Sequence, residues 1–381
     1  MKIAFVYDAI YPFVKGGGEK RIHDLAVRLA SRGHEIHLYG LKFWDGPLSV
    51  KREGLTLHGV IPAMQLYAGQ RRAIPEAVFY GAGVFPALIR DRFDVVDCQQ
   101  FPYFSGLASR VAASMRKDPL AITWYEVWGE YWDEYLGAVG GVGKFMDRVL
   151  TRLSPYHIAI SAAVKKRLDE KLSLPGATVI PHAIDIHHID RVRPAAESPD
   201  ILFAGRFIRE KNIGLLIAAV DRIREEKPDV SCMLVGDGPE MQHLVSEVRR
   251  LHLERNVTFT GFLEDHDQVL ALMKTSRVFA FPSAREGYGI GALEALACGT
   301  PLVTLDHEMN AAKEFVTEKT GFLTTESPEE LGHALMRALE RSGDLSPSCR
   351  EYSRMYDWEE VCSAAERYYS WVAADFSARG R

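Results

Sequence analysis

The chain reads as an α/β protein of two domains, each built on a parallel sheet, and three observations lead there. Its 381 residues exceed one average core and suit two domains of about 150–200 residues. Short apolar runs that stop at Gly, Asp or Pro alternate with segments whose apolar positions recur at helical spacing. That rhythm pauses in a stretch rich in Pro, Ala and charge and then restarts. The organisation expected is a first domain over 1–185, a linker over 186–199, a second domain over 200–355 and a terminal segment over 356–381.

Composition sets the bounds. Hydrophobic residues make up 47% and charged residues 25%, which is ordinary globular usage and not disorder. A net charge of −5 lacks the basic footprint of a nucleic-acid binder, so no nucleic-acid partner is expected. The five cysteines are scattered, odd in number and without a C-x-x-C pair. Neither structural zinc nor a disulfide framework is expected, and a reducing compartment fits best. No apolar run reaches the ~18 residues of a membrane span. Met1–Asp8 meets an acid too early for a secretory leader and reads as a first strand, so a cytoplasmic protein is expected.

In order, Lys2–Tyr7 is a strand, followed by Gly16-Gly17-Gly18-Glu19-Lys20 and a helix over Ile22–Ala30. Glycines at a strand-to-helix turn suit a phosphate, or serve only a tight turn. They miss the dinucleotide fingerprint, because Arg21 stands where its third glycine belongs. Strands follow at 34–39, 55–61, 93–97 and 120–123, with a helix over 106–115. Trp124 to Tyr135 then carries three of the six tryptophans at a spacing of four, with acids between them. If helical, these form one stripe. The segment starts at the carboxyl end of a strand, where open sheets place ligands, and its rings suit sugar stacking or lipid headgroups. Tyr125, Glu126 and Trp128 are its acceptor-side candidates. Gly137–Gly143 reads as a mobile loop. Lys144–Leu153 reads as a basic amphipathic helix, either a solvated face or a peripheral membrane or partner contact. Ser161 caps a helix whose polar face holds Lys165-Lys166-Arg167. His187-His188, adjacent and without a spaced acid, make a poor metal site, so no metal is expected.

The second half opens with a strand at 201–204, a loop bearing Arg206 and Lys211, and a helix over 215–223. Two cations beside a helix N-terminus suit a diphosphate, Arg as a fork and Lys as a point charge. Strands at 231–235 and 257–260 follow, the latter leading into Phe262-Leu263. Val278–Phe281 is a strand that Pro282 ends, and the glycine-rich loop after it carries Glu286, Gly287, Tyr288, Gly289 and Ile290. A helix over Ala292–Ala297 is stopped by Gly299 and Pro301, and a strand at 302–305 follows. Unhindered loop N–H groups and the helix end form an anion site. Glu286 and Glu294 can hold opposite ends of one extended polar ligand, since a carboxylate accepts from two neighbouring hydroxyls. Glu294, embedded in Ala-Leu-Glu-Ala-Leu-Ala, is expected to be half buried.

Glu286 and Glu294, in Glu-Gly-Tyr-Gly-Ile-Gly-Ala-Leu-Glu-Ala-Leu-Ala-Cys-Gly-Thr-Pro, resemble the E-x7-E signature of the retaining GT-B glycosyltransferases of the glycogen-synthase-like family 4. The resemblance covers nearly the whole chain. It implies two Rossmann-like domains with a cleft between them and a terminal helix (Val361–Ala374 here) crossing back to the first domain. It implies a nucleotide diphosphate sugar as co-substrate, a hydroxyl acceptor (glycan, lipid-linked or small molecule), retention of configuration, and no metal or other cofactor. By the same resemblance Gly17 approaches the donor diphosphate, Arg206 and Lys211 grip it, Glu294 takes the ribose, and Glu286 with the N–H groups of 287–290 orients the sugar. Main chain at Phe262 and Leu263 reads the base. Two departures stand out. Tyr125 occupies the position of a family histidine, and Asn310-Ala311-Ala312 replaces a Gly-Gly pair before Glu314. A catalytically idle nucleotide- or sugar-binding protein and a nucleotide-sugar 2-epimerase are the alternatives, the latter not expected to carry the paired glutamates.

Overall fold

The computed structural model describes residues 1–68 and 71–379. The chain divides into two compact units, one of residues 1–182 with 359–381 and the other of residues 183–358.

The first unit carries strands β1 (Lys2–Val6), β2 (Glu35–Lys42), β3 (Ser49–Arg52), β4 (Leu55–Pro62), β5 (Tyr67–Ala68), β6 (Arg71–Arg72), β7 (Val95–Gln99), β8 (Leu120–Trp124), β9 (Tyr156–Ala159) and β10 (Thr178–Val179). Its helices are α1 (Gly17–Ser31), α2 (Ile74–Leu88), α3 (Tyr103–Arg116), α4 (Tyr131–Leu136), α5 (Gly140–Leu153) and α6 (Ala162–Leu172). Eight strands form one sheet in the order β10-β9-β8-β7-β1-β2-β4-β3, parallel except for the edge strand β3. The central strand β1 is a continuous apolar run because both its faces are covered: Ile3, Ala4, Phe5 and Val6 are all buried. Ile3, Phe5 and Val6 each contribute about 1.5–3 kcal/mol on burial, and Ala4 less.

Three expectations for this unit are corrected. The tryptophans at 124, 128 and 132 form no helical stripe, since Trp124 ends β8, Trp128 lies in the following loop and only Trp132 is on α4. Residues 137–143 are not an irregular loop but a 3₁₀ turn running into α5. A Cβ at Gly143 would lie 2.1 Å from the Trp132 ring, so the glycine there makes room for the indole. Arg167 does not share a solvated face with Lys165 and Lys166; it is buried. Ser161 does cap α6, accepting from Val164 N–H at 3.1 Å.

The second unit begins with α7 (Ile186–Arg191), which occupies the start of the segment expected as linker. Strands β11 (Ile201–Ala204), β12 (Cys232–Val235), β13 (Val257–Gly261), β14 (Val278–Phe281), β15 (Leu302–Leu305) and β16 (Gly321–Thr324) alternate with α8 (Ile213–Glu226), α9 (Met241–Arg250), α10 (His266–Thr275), α11 (Ile290–Cys298) and α12 (Pro328–Ser353). The sheet order is β13-β12-β11-β14-β15-β16, all parallel. The order reverses between β11 and β14, which opens a crevice at their carboxyl ends.

The last helix, α13 (Trp358–Arg379), belongs to the first unit from Glu359 onward. Tyr369 packs edge-on against Phe5 at 6.2 Å and donates to Asp97 Oδ2 at 2.7 Å, tying the helix to the middle of the first sheet. Glu366 receives both Arg32 and His34 from the end of α1 and the turn after it.

Beside β1, Asp8 is fully buried and pairs with Arg72, while Glu76 on α2 is buried with its carboxyl against that of Asp8. Burial, reinforced by the Asp8 carboxylate, pushes the Glu76 carboxyl up from 4.5 to about 8. Across that window the folded state binds the extra proton, so stability should fall as pH rises through it. Urea unfolding of Glu76→Gln should accordingly show a flatter pH dependence than the parent between 4.5 and about 8, with the variant the more stable at the alkaline end; parallel curves would refute the titration.

Candidate functional site

In the second unit the predicted site residues lie on segments leaving the carboxyl edge of the sheet, Ile290 and Glu294 at the start of a helix and the rest on the loops before helices. Gly205 and Arg206 follow β11, and Gly236 follows β12. A Cβ at Gly236 would sit 1.9 Å from the Gly205 carbonyl oxygen, so the two loops touch through bare backbone, and Gly236 holds φ of 135° to do so. Arg206 projects into solvent. Lys211, at the end of the short 3₁₀ turn Arg209–Lys211, is mostly covered; its ammonium lies 4.6 Å above the Phe281 ring centre and pairs with Glu286 Oε2.

Glu286 itself is held by main chain. Its N–H donates to the Met309 carbonyl at 2.8 Å and its carbonyl accepts from Ala311 N–H at 2.9 Å. Asn310, fully buried, anchors this contact by donating to Thr304 Oγ1 and the Leu305 carbonyl, each at 2.9 Å. The Asn310-Ala311-Ala312 departure thus has a structural use here. Ala312 packs beneath Gly289, where a Cβ would lie only 2.7 Å from the alanine Cβ. Gly289 also holds φ of 89°, in the left-handed region, as the N-cap of α11. Both facts reserve that position for glycine and turn the chain so that Ile290 starts the helix. As the first two helical residues, Ile290 and Gly291 have no acceptor within α11 for their N–H groups, and the helix end carries partial positive charge.

Glu294 lies on the second turn of α11 with its side chain 12% exposed, as half-burial predicts, and His266 Nε2 meets its Oε1 at 2.9 Å. His266 opens α10, directly after the Phe262-Leu263 loop, in which Phe262 is exposed. The His266–Glu294 contact therefore joins the start of α10, which follows the Phe262-Leu263 loop, to α11. Arg206, Lys211, Glu286 and the 287–290 loop stand at the strands on either side of the reversal. His266 was missed by the sequence reading; the one signal for it was its place just after Leu263.

In the first unit the strand order reverses between β1 and β7, and a second group gathers there. Gly17 is the first residue of α1, which starts without a side-chain cap, and a Cβ on it would meet nothing within 4 Å. The Gly16–Gly18 turn needs no left-handed backbone; its glycines admit neighbours instead. At Gly16 a Cβ would lie 2.4 Å from the Glu19 carboxylate, which folds back over the helix end, and at Gly18 it would be 3.5 Å from the Tyr125 ring. Burial holds the Glu19 carboxyl above its ordinary range.

Tyr125 stacks on Tyr7 with ring centres 6.4 Å apart and donates to Gln99 Oε1 at 2.8 Å. Burial raises the Tyr125 phenol, keeping it a neutral donor. Gln99 is held by Asp97 Oδ1 at 3.1 Å, and Asp97 also receives Thr123 Oγ1 at 2.7 Å. Gln100 Oε1 accepts the N–H groups of Tyr125 and Glu126 at 3.2 and 3.3 Å. The Glu126 carboxylate accepts from the Trp128 indole. Trp128 in turn packs against Trp132 at 4.5 Å and Tyr135 at 4.8 Å, so the sequence's aromatic segment closes on itself as a cluster. Asp147, the buried acid of the basic helix α5, supports that cluster by accepting from Trp132 Nε1 at 2.8 Å and Tyr103 at 2.7 Å. Asp97, Gln99 and Asp147 carry no motif, and sequence reading did not single them out.

Comparison with known proteins agrees with this architecture. The model of the family described as Glycosyltransferase Family 4 matches residues 15–188, and that described as Glycosyl transferases group 1 matches residues 187–355. A glycogen synthase of Mycobacterium tuberculosis is 34% identical over 172 residues, which span 44% of this chain and 41% of the relative, less than half its length. Sucrose-phosphate synthase of Thermosynechococcus elongatus superposes with a TM-score of 0.81 at 21% identity, covering 98% of this chain and 99% of its own. The Anabaena protein HepE, solved with UDP, superposes with a TM-score of 0.74 at 20% identity over 97% of this chain and 100% of its own. With the two family models matched in succession along residues 15–355 and two parallel-sheet units of this topology, the chain belongs to the GT-B glycosyltransferases of family 4.

Proposed function

We propose that the protein moves a hexosyl group from a nucleotide diphosphate sugar to an acceptor hydroxyl on a glycan, a lipid-linked sugar or a small molecule, with retention of anomeric configuration. The observation that carries this reading is the pairing of Lys211 with Glu286 at the strand reversal, beside the uncapped end of α11. Each partner is a surrogate for a piece of donor. Lys211 would exchange the Glu286 carboxylate for a diphosphate oxygen, and Glu286, so released, would accept from sugar hydroxyls. Glu294 would likewise exchange His266 for the ribose diol, with main chain at 262–263 along the base. HepE, whose fold this chain shares, was solved with UDP, which makes a uridine donor the first to try.

In this scheme the bond from the anomeric carbon to the diphosphate oxygen breaks and the acceptor oxygen bonds the same face. The acceptor's proton passes to a donor phosphate oxygen. Charge building on the leaving group is met by Arg206, Lys211 and the N–H groups at the head of α11, where preorganised electrostatics has its largest effect. These cations fill the role a divalent metal would otherwise take, and Gly17 leaves the first unit's turn open to a phosphate. Tyr125, Glu126 and Trp128 would receive the acceptor. A cytoplasmic setting, at the inner face of a membrane or away from it, suits a nucleotide-sugar consumer. An idle binding protein is the second reading, favoured by one observation: the Tyr125 hydroxyl, at the histidine position, is already committed to Gln99.

The deciding experiment incubates the protein with UDP-, GDP-, ADP- and dTDP-sugars and measures nucleotide release with and without EDTA. Release from one donor, unchanged by EDTA, is expected; binding without release from any donor would favour the idle reading. Replacing Arg206 and Lys211 together by Ala should lower kcat by about 10²–10³-fold, and a rate near the parent's would remove them from the mechanism. Glu294→Ala should weaken nucleotide affinity about tenfold or more by titration calorimetry, whereas unaltered affinity would dissociate it from the ribose.

A further inference from the structure

The turn before α8 and the loop after β14 are joined by two neighbouring ion pairs of opposite sense. Lys211 meets Glu286, and beside it Arg285 Nη2 lies 3.5 Å from Glu210 Oε1. Main chain runs through the same contact, because the Glu210 carbonyl accepts from Ala284 N–H at 2.9 Å. Glu210-Lys211 against Arg285-Glu286 is thus a short ladder in which each acid faces a base. The four side chains are 16–29% exposed, so solvent screens them less than an ordinary surface pair.

The order of the charges specifies the register. Sliding one segment past the other by one residue would set Lys211 against Arg285, or Glu210 against Glu286, like charge against like. The turn needs such a device. It is a 3₁₀ piece of three residues, Arg209–Lys211, followed by Asn212 in the left-handed region at φ of 53°, and a piece that short has little structure of its own to fix where Lys211 stands.

A ligand treats the two rungs differently. Lys211–Glu286 is the rung that a donor opens in the scheme above, since the diphosphate takes the lysine and the sugar takes the carboxylate. Glu286 keeps its place through the Met309 carbonyl and Ala311 N–H. Glu210 still joins the turn to the loop, through its carbonyl to Ala284 and its carboxylate to Arg285. Without that second rung, ordering the turn would oppose donor binding, equally in the ground state and in the transition state.

We propose that Glu210 and Arg285 are positioning residues of the donor site: their ion pair keeps Lys211 in register with the β14 loop while Lys211 and Glu286 part to take the donor. Neither residue touches donor in this arrangement. The inference rests on the donor reading given above, and its test separates the two.

The test is a double-mutant cycle of Glu210→Gln and Arg285→Gln in the full chain, with two readouts. With the sugar nucleotide that the parent turns over, each single variant should raise the donor KM about fivefold and leave kcat within about twofold. By calorimetry with inorganic pyrophosphate, which needs no turnover, each should weaken affinity by about the same factor. In both readouts the double variant should be no worse than either single, since breaking the pair once is enough. General damage to the fold would instead lower kcat through the active fraction and leave KM where it was. Unmoved KM and pyrophosphate affinity in the single variants, or single effects that multiply in the double, would overturn this proposal and leave the donor reading intact. A parent that binds pyrophosphate with the expected coupling but turns over no donor would overturn the transferase reading and support the positioning role. A parent that neither binds pyrophosphate nor turns over donor would overturn both.

Discussion

Strands that all run one way deliver every β–α loop to the same edge, and the candidate site depends on that constraint. In the second unit it lets five loops, separated by up to about a hundred residues of chain, converge at one row of strand ends. The reversal of strand order between β11 and β14 then decides where the row opens. Glu286 and Lys211 face each other across that point because their helices leave in opposite directions along the sheet. The same rule in the first unit gathers the Gly16–Gly18 turn, Gln99 and Tyr125 from three different strands.

Within that frame, bare backbone does much of the positioning. Gly289 combines a left-handed φ with close contact to Ala312, and together these aim the start of α11. Gly236 and Gly205 let two loops meet through main chain. Charged side chains then fit where the backbone leaves room, with partners that hold them in the absence of ligand. Lys211 rests on Glu286 and Glu294 on His266. Such pairs keep buried charge compensated, and they are also the contacts a polyanionic, polyhydroxylated ligand could exchange for its own.

Much of the fold was legible because parallel strands buried on both faces appear as short unbroken apolar runs. The bounds of Ile201–Ala204, Val278–Phe281 and Leu302–Leu305 coincide with the structure. Elements lacking that signature were not. Helix α2 has no polar face to give it periodicity, and β3 is a polar edge strand. Helix α12 runs through Ser342-Gly343-Asp344 and Pro347, residues that ordinarily break a helix. Packing overrides them, with Leu345 and Cys349 buried.

The sequence by itself determined the α/β class and the two-part rhythm, and it showed Arg206 with Lys211, and Glu286 with Glu294, as two local motifs, since local patterning and motif spacing are properties of contiguous residues. Tertiary structure alone decided who partners whom. His266 reaches Glu294 across 28 residues, and Asn310 fixes Glu286 from the neighbouring strand's loop. Tyr125 lies beneath a glycine turn a hundred residues away. The physical reason is common to all of these: burial and pairing are set by long-range packing, which no window along the chain contains.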